Sequence, residues 1–205
     1  AFNAHLQEMS GTATDPGTSP ACYTAGLSAL AALWMALIAG GGADVVMSST
    51  AYGGSSQVTD ILAARAPEKL RKHTFDVSGG SQILDTVRGT LRRLLESAQG
   101  KHATGSRGGS TAARSTSTTV LFVEAPTNPD MKVPDLPTLA TMLAEHAAAA
   151  GTRPLMLVDT TLAPMSKVMA KARGSVPDLP VMVLLSMSKS VSRGLTTAGA
   201  LVANH

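Results

Sequence analysis

Lys189 closes an apolar segment near the end of the chain, directly after two serines, Ser186 and Ser188. Lysine is ordinarily a solvated surface residue. The run PVMVLLS (180–186) is typical of a buried strand, so the lysine falls at the carboxyl end of that strand. Ligands of open α/β sheets bind at this edge. An amine held there among hydroxyls can act as a nucleophile and carry a proton.

Other predicted strands also end in polar side chains. Tyr52 follows the strand ADVVMSS, and Asp159 follows LMLV. Glu124 and Asn128 follow VLFV, and a helix that begins at Gly26 offers N–H groups for an anion. Because parallel strands end at a common edge, we expect these groups to lie together. The combination suits pyridoxal 5'-phosphate (PLP), which needs a lysine for its aldehyde, a carboxylate for its ring nitrogen, a ring to stack on and donors for its phosphate.

Five short motifs occur in an order and at spacings similar to those of one enzyme family. They are TAGL (24–27), YGGS (52–55), EAPTNP (124–129), VDTT (158–161) and SMSK (186–189). With them the chain resembles the transsulfuration family of fold-type I PLP-dependent enzymes, which includes cystathionine γ-synthase, cystathionine lyases, methionine γ-lyase and homoserine sulfhydrylases. The resemblance runs over nearly the whole chain. It implies elimination or replacement at Cβ or Cγ of a sulfur-containing amino acid such as cystathionine, with PLP as the cofactor.

The resemblance implies a role for each matching residue. Lys189 would form the Schiff base with PLP and later take the Cα proton of the substrate. Asp159 would pair with the pyridinium nitrogen, and Tyr52 would stack on the ring and assist proton transfer. Asn128 would lie near the phenolic oxygen of the cofactor, and Glu124 would shape that strand end.

The cofactor's phosphate would have its own binding residues, again by resemblance. Ser186 and Ser188 would bind it together with the backbone N–H groups of Gly26 and Leu27. Thr161, within the VDTT motif, belongs to the same cofactor-binding set.

Each of these residues also has an ordinary structural interpretation. Lys189 could be a surface lysine, and Asp159 could cap a following helix. Tyr52 could be a turn aromatic before two glycines, and the PTNP segment could be a plain loop. Ser186 and Ser188 could only satisfy backbone groups.

The chain departs from the family pattern after the lysine. Family members carry an aromatic residue and then Gly-His-(Ser/Ala)-Asp, whereas this chain has SVSRGLTTAG (190–199). Thr160 stands where the family has asparagine, and Leu27 where it has methionine. These differences leave open a catalytically inactive paralogue that serves as a structural subunit of a larger assembly. Another fold-type I PLP enzyme, such as an aminotransferase or a decarboxylase, is a third interpretation.

Helical and strand patterns alternate along the chain and must position these residues. Helical patterns occur in TAGLSALAALWMALIAGG, GGSSQVTDILAAR, SQILDTVRGTLRRLLESA and DLPTLATMLAEHAAAA. Strand patterns occur in ADVVMSS, KHTFDV, TTVLFVEAP, RPLMLVDTT and PVMVLLS; TTAGALVAN is a further candidate strand, and PMSKVMAKAR a short helix or turn. This alternation predicts an α/β fold with a mainly parallel sheet flanked by helices. The resemblance narrows it to a PLP-dependent transferase-like large domain (fold type I), truncated at both ends.

The length of 205 residues suits one well-cored domain. We therefore expect a partial PLP-binding large domain over residues 1–205, with a low-complexity insertion at about 101–118. That insertion is rich in Gly, Ser, Thr and Ala and has no acidic residue. A flexible surface loop is the favoured interpretation, and a basic docking loop the alternative.

The composition argues against several other classes of protein. Cys22 is the only cysteine and the five histidines are scattered, so we expect neither an internal disulfide nor a metal site. Aromatic residues make up only 3% of the chain and no basic run is interleaved with them, so we expect no nucleic-acid surface.

The sequence shows no membrane or export signal, which bears on the location of the protein. The longest apolar run, Leu27–Ala39, is shorter than the roughly 20 residues that span a bilayer, and no secretory signal is visible. We expect a cytoplasmic protein; an organellar location stays open because the N-terminus looks incomplete. The resemblance implies a homotetramer whose ligands are the cofactor and a small amino-acid substrate.

Overall fold

The computed structural model of the chain describes residues 2–11, 19–77, 82–104, 117–189 and 192–204. Within these residues it has six helices, α1 (Phe2–Ser10), α2 (Gly26–Ala39), α3 (Gly53–Arg65), α4 (Ile83–Thr104), α5 (Leu136–Ala150) and α6 (Val168–Arg173). The same residues form seven strands, β1 (Ala21–Tyr23), β2 (Ala43–Ser48), β3 (Leu70–Phe75), β4 (Thr118–Glu124), β5 (Arg153–Asp159), β6 (Val181–Ser186) and β7 (Gly199–Ala203).

The seven strands form one sheet in the order β1-β7-β6-β5-β4-β2-β3. Five adjacent strands run parallel to one another: β6, β5, β4, β2 and β3. Strand β7 is antiparallel to both β6 and β1. The predicted α/β class with a mainly parallel sheet is therefore confirmed. Because the parallel strands end at one edge, the residues that follow them are brought together there.

Both faces of the sheet are covered by helices. On β4, Leu121 and Val123 pack into a core with residues of α4, α5 and α6, whereas Val120 and Phe122 pack into a second core with α2. Side chains alternate along a strand, so each apolar strand supplies both cores. This explains why the central strands are continuously apolar rather than alternating with polar residues.

Helix α5 shows how local sequence sets an element's ends. Asp135 precedes the helix, and its carboxylate accepts hydrogen bonds from the backbone N–H of Thr138 (3.2 Å) and from its hydroxyl (2.7 Å). Pro137 lies in the first turn, where its missing N–H costs no helical hydrogen bond. The helix ends at Gly151, whose φ of 66° is the left-handed conformation that glycine adopts most easily.

The structure adds elements to those predicted from sequence. The short strand β1 was not predicted. Helix α4 continues to Thr104, into the segment predicted as an insertion, and β4 begins at Thr118. Residues 105–116 of that segment lie outside the described residues. None of the helices in the described ranges is long and apolar enough to cross a membrane.

A charge network around the buried carboxylate of Asp44 joins the first two parallel strands along the chain. Asp44 on β2 lies opposite Arg71 on β3 and accepts two hydrogen bonds from its guanidinium, at 2.7 Å (Nε) and 2.6 Å (Nη2). His73 Nε2 lies 2.8 Å from the same carboxylate. Burial acts to raise the pKa of Asp44, but Arg71 and His73 outweigh it and lower that pKa from 3.8 to about 2. The ionised carboxylate is therefore part of the folded state.

We expect the Asp44 network to make stability fall in acid. A carboxyl whose pKa is lower in the folded than in the unfolded state contributes stability above its unfolded pKa, and this is lost as pH falls from about 4 towards 2. For Asp44 this amounts to about 2 kcal/mol. Asp44→Asn should lower the free energy of unfolding at neutral pH by about that amount in urea titrations, and its loss between pH 4 and 2 should be smaller.

The exposed Asp60–Lys72 pair gives a matched control for this experiment. Its aspartate side chain is 60% exposed. Asp60→Asn should therefore change stability by less than about 1 kcal/mol. Equal effects of the two substitutions would contradict a special role for the Asp44 network.

Gly199, the first residue of β7, packs against the start of α2. A Cβ on Gly199 would lie 2.4 Å from the carbonyl carbon and oxygen of Ala25 and 2.5 Å from the nitrogen of Gly26. These are backbone atoms, so no side-chain rotation can relieve the clash. Glycine here lets the antiparallel strand approach the helix that begins at Gly26.

We expect Gly199→Ala to destabilise the fold by about 3 kcal/mol, because the helix start or the strand must shift. Gly53→Ala is the control, since a Cβ at Gly53 meets no atom within 4 Å. Thermal or urea unfolding measures both. Equal midpoints for Gly199→Ala and the unmodified protein would show that the close approach is absent in solution.

Candidate active site

A cavity of about 330 Å³ opens at the carboxyl edge of the parallel strands. All nine residues that the sequence predicted as site residues line it: Gly26, Leu27, Tyr52, Asn128, Asp159, Thr161, Ser186, Ser188 and Lys189. They come from segments that are up to 163 positions apart between Gly26 and Lys189. The fold thus brings the whole predicted set together, and what each residue does there stays a prediction.

Lys189 and Tyr52 both line the cavity and lie close to each other. The Lys189 Nζ atom lies over the Tyr52 ring, 5.4 Å from its centroid. This is within the range in which an ammonium group is attracted to an aromatic face. Lys189 is exposed and Tyr52 is 42% exposed, so a molecule from solvent can reach both. The amine and the ring therefore both belong to the accessible part of the cavity.

Asp159 ends β5 and is held by Thr161. Its Oδ1 accepts a hydrogen bond from the backbone N–H of Thr161 at 2.8 Å. Burial raises the pKa of Asp159, and the hydrogen bonds from the side chain and the backbone of Thr161 act in the opposite direction. A cationic group placed beside this carboxylate would favour its ionised form.

Thr161 also connects the ends of two strands. Its Oγ1 accepts a hydrogen bond from the backbone N–H of Ser186 at 2.9 Å, while its own groups bind Asp159. A single threonine thus fixes the carboxylate at the end of β5 relative to the serine at the end of β6. This positions Asp159 and Ser186 independently of any ligand.

Glu124 is a cavity residue that was expected only to shape its strand end. It ends β4, directly opposite Asp159 in the strand register, and is 7% exposed. Its Oε1 accepts a hydrogen bond from the N–H of Tyr52 at 2.7 Å, and its Oε2 accepts one from the N–H of Asn128 at 3.0 Å. Burial raises the pKa of Glu124; these hydrogen bonds act to lower it and the charge of Asp159 to raise it further. The carboxylate therefore connects two loops of the site.

Five more residues line the cavity without having been predicted: Ala25, Ser55, Pro126, Leu162 and Leu184. Ser55 lies in the first turn of α3, next to the YGG motif, and this proximity to Tyr52 was the available signal. Leu162 is 50% exposed and adds an apolar wall. The sequence offers no comparable signal for Leu162 or Leu184, since apolar residues are common in strands and loops.

The first turns of helices α2 and α3 contribute residues to the cavity lining. Neither Ala25 before α2 nor Tyr52 before α3 makes a side-chain capping hydrogen bond. The first N–H groups of a helix carry partial positive charge and bind anions readily. A Cβ at Gly26 would lie 2.9 Å from the Cβ of Ser186, so glycine allows the start of α2 to sit against the end of β6. This corner combines N–H donors with a serine.

Ser188 has backbone partners in the segment that follows Lys189. Its hydroxyl accepts a hydrogen bond from the N–H of Ala198 at 3.2 Å and lies 3.4 Å from the Ala198 carbonyl oxygen. Ser188 was predicted to bind phosphate, and that role stays a prediction; the contact found here connects Ser188 to Ala198. Both distances are at the long end for hydrogen bonds.

Residues 192–194 form a turn. The N–H of Gly194 donates to the carbonyl of Ser188 at 2.9 Å, and Arg193 and Gly194 have positive φ values of 52° and 84°. Arg193 is not among the cavity-lining residues. None of the described residues 192–199, which belong to the segment that departs from the family pattern, lines the cavity.

Comparisons with known proteins agree with this architecture. No protein-family model matches the chain, and no curated protein matches it. Among solved structures, the chain is similar to metB from Corynebacterium glutamicum, with a TM-score of 0.62, 18% sequence identity and 99% of this chain covered. The chain spans 40% of the length of that protein. At this identity the similarity shows the fold, a mainly parallel sheet flanked by helices, which is consistent with part of a fold-type I domain.

Proposed function

We propose that this chain forms the PLP-binding domain of an enzyme that eliminates or replaces a group at Cβ or Cγ of a sulfur-containing amino acid. One observation carries the proposal. A reachable lysine amine, an aromatic ring, a carboxylate at a strand end and two helix N-termini line the same cavity of about 330 Å³. The motif order supports the transsulfuration branch, and the similarity to metB supports the fold that the branch requires.

The residues present fit PLP. Its aldehyde needs an amine, which Lys189 supplies, and its ring needs a flat partner, which Tyr52 supplies. Its ring nitrogen needs a carboxylate, which Asp159 supplies at the end of β5. Its phosphate needs donors, which the start of α2 and the Ser186 hydroxyl offer. The cavity volume lies at the lower end of the range for small-molecule sites.

The side chains that line the cavity would then have separate roles in the reaction. When bound, PLP supplies a ring that accepts the electrons left on the substrate's Cα. Lys189 would hold the aldehyde end and, once the substrate's amine replaces it, its Nζ would take the Cα proton. Asp159 would keep the ring nitrogen protonated. Tyr52 would fix the ring plane, so that Lys189 stays within reach of one face.

Ser186, Leu27 and Leu162 would serve binding rather than proton transfer. Ser186 and the N–H groups of Gly26 and Leu27 would neutralise a phosphate, and the exposed Leu162 would exclude water from one wall. A homo-oligomer and a cytoplasmic location belong to the same proposal.

A catalytically inactive structural subunit is the second candidate. The observation that favours it is the bond between Ser188 and Ala198, which occupies a hydroxyl that phosphate binding would use. The segment after Lys189 also lacks the family's pattern. On this alternative the cavity would keep its shape but would not retain PLP.

Addition of PLP to the purified protein distinguishes the two candidates. The enzyme proposal predicts a saturable visible absorbance band that free PLP lacks and that survives gel filtration. Release of thiol, ammonia or keto acid from cystathionine, methionine and an O-acylhomoserine would then identify the substrate. A protein that shows no such band after gel filtration from excess PLP would rule out the enzyme proposal and leave the structural subunit.

A further inference from the structure

Glu124 lies where two loops of the cavity meet, and its carboxylate binds both of them. One oxygen accepts from the N–H of Tyr52, in the loop between β2 and α3. The other accepts from the N–H of Asn128, in the loop between β4 and α5. Tyr52 is 72 positions away in sequence, so this is a tertiary contact rather than a turn within β4.

Each of the two bonds is of the strong kind. A carboxylate that accepts from a backbone N–H makes a charge-assisted hydrogen bond, roughly twice as strong as a neutral one. The distances of 2.7 and 3.0 Å are ordinary for such bonds. With only 7% of Glu124 exposed, water competes poorly for the same oxygens.

We propose that Glu124 is a positioning residue of the site, whose ionised carboxylate fixes the Tyr52 and Asn128 loops and thereby sets the ring of Tyr52 against the ligand. The inference rests on the proposed function for the identity of that ligand, PLP. The connection between the two loops does not depend on the proposed function. Glu124 itself need not touch the cofactor for this role.

The charged surroundings of Glu124 fit this role. Within the described part of the chain, the titratable side chains that line the same cavity are Tyr52 from the β2–α3 loop, Asp159 from β5 and Lys189 after β6. Asp159 repels the Glu124 charge, and burial opposes it as well. The two backbone N–H groups are therefore what stabilises the ionised form at this place.

Glu124→Gln tests the connection between the two loops with almost no change in side-chain size. Glutamine has one acceptor oxygen and one NH₂ donor, so it can accept from only one of the two N–H groups and faces the other with a donor. Amide hydrogen exchange of the protein without PLP should show about tenfold or greater loss of protection at Tyr52 and Asn128. Amides of the central strand β5 should keep their protection.

Asp135→Asn is the matched control, because Asp135 also accepts from a backbone N–H but lies at the start of α5, outside the cavity. It should leave exchange at Tyr52 and Asn128 unchanged. If Glu124→Gln leaves those two amides protected, or exposes β5 to the same extent, the proposal is overturned.

A double-mutant cycle on PLP affinity tests the link to the ring of Tyr52. Glu124→Gln should weaken PLP binding about tenfold in the unmodified background and by much less in Tyr52→Ala, because the position of the ring no longer matters there. Equal effects in the two backgrounds would overturn the positioning role. If the unmodified protein takes up no PLP, the proposed function fails, and exchange at the two amides still decides whether Glu124 joins the loops.

Discussion

Lys189→Ala should abolish covalent attachment of PLP to the protein and lower turnover on the order of a thousandfold or more. The reason is that Lys189 is the amine found over the Tyr52 ring at the cavity, and alanine offers neither a bond to the aldehyde nor a base for the Cα proton. Borohydride reduction of the PLP-treated protein, followed by peptide mass analysis, should find the cofactor on the peptide that contains Lys189. The variant should carry no label.

The control for this prediction is Lys171→Ala. Lys171 is an exposed lysine in the last turn of α6 and does not line the cavity. Its replacement should change neither labelling nor turnover. Label that moves to other lysines, with activity retained in Lys189→Ala, would mean that a different amine serves the site.

The strand ends of this fold were predictable because two simple signals coincide there. Asp159, Ser186 and Lys189 each follow a continuous apolar run, and buried parallel strands have such runs. The rule that parallel strands end at one edge then places the residues together without any knowledge of distances. The cavity contains all of them for that reason.

Contacts between distant segments were not predictable in the same way. The bonds from Glu124 to the N–H of Tyr52 and from Ser188 to Ala198 depend on how two loops return to the sheet. A loop's path is set by packing against its neighbours, and no periodicity in the sequence records it. The sequence indicated a carboxylate at the end of β4, whereas its two hydrogen-bond partners came only from the structure.

Short and antiparallel elements were also difficult to predict from the sequence. Strand β1 has three residues, which is too few for alternation to be recognised, and its pairing with β7 supplies its backbone partners. The candidate strand TTAGALVAN was located correctly, but its antiparallel pairing with β6 and β1 came only from the structure. The close approach of Gly199 to Ala25 and Gly26 is likewise a contact between distant segments.

Asp159→Asn should weaken PLP binding by about ten- to a hundredfold and lower turnover by a larger factor. Asparagine keeps the shape and can still accept a hydrogen bond from Thr161, but it carries no charge to hold a proton on the ring nitrogen. Without that proton the ring is a poorer electron acceptor. Titration of PLP by absorbance, together with initial rates at saturating PLP, separates the binding effect from the effect on chemistry.

The pH dependence of PLP affinity gives this prediction its sharpest form. Burial raises the pKa of Asp159 in the protein without ligand, and a cationic partner would lower it on binding. Binding would therefore release a proton, so affinity should rise with pH between the pKa of Asp159 in the complex and its raised pKa in the free protein, and level off above the latter. In Asp159→Asn this part of the dependence should vanish, while the part that belongs to the phosphate group of PLP remains in both proteins. Identical affinity profiles for the variant and the unmodified protein would show that Asp159 does not pair with the cofactor's ring nitrogen.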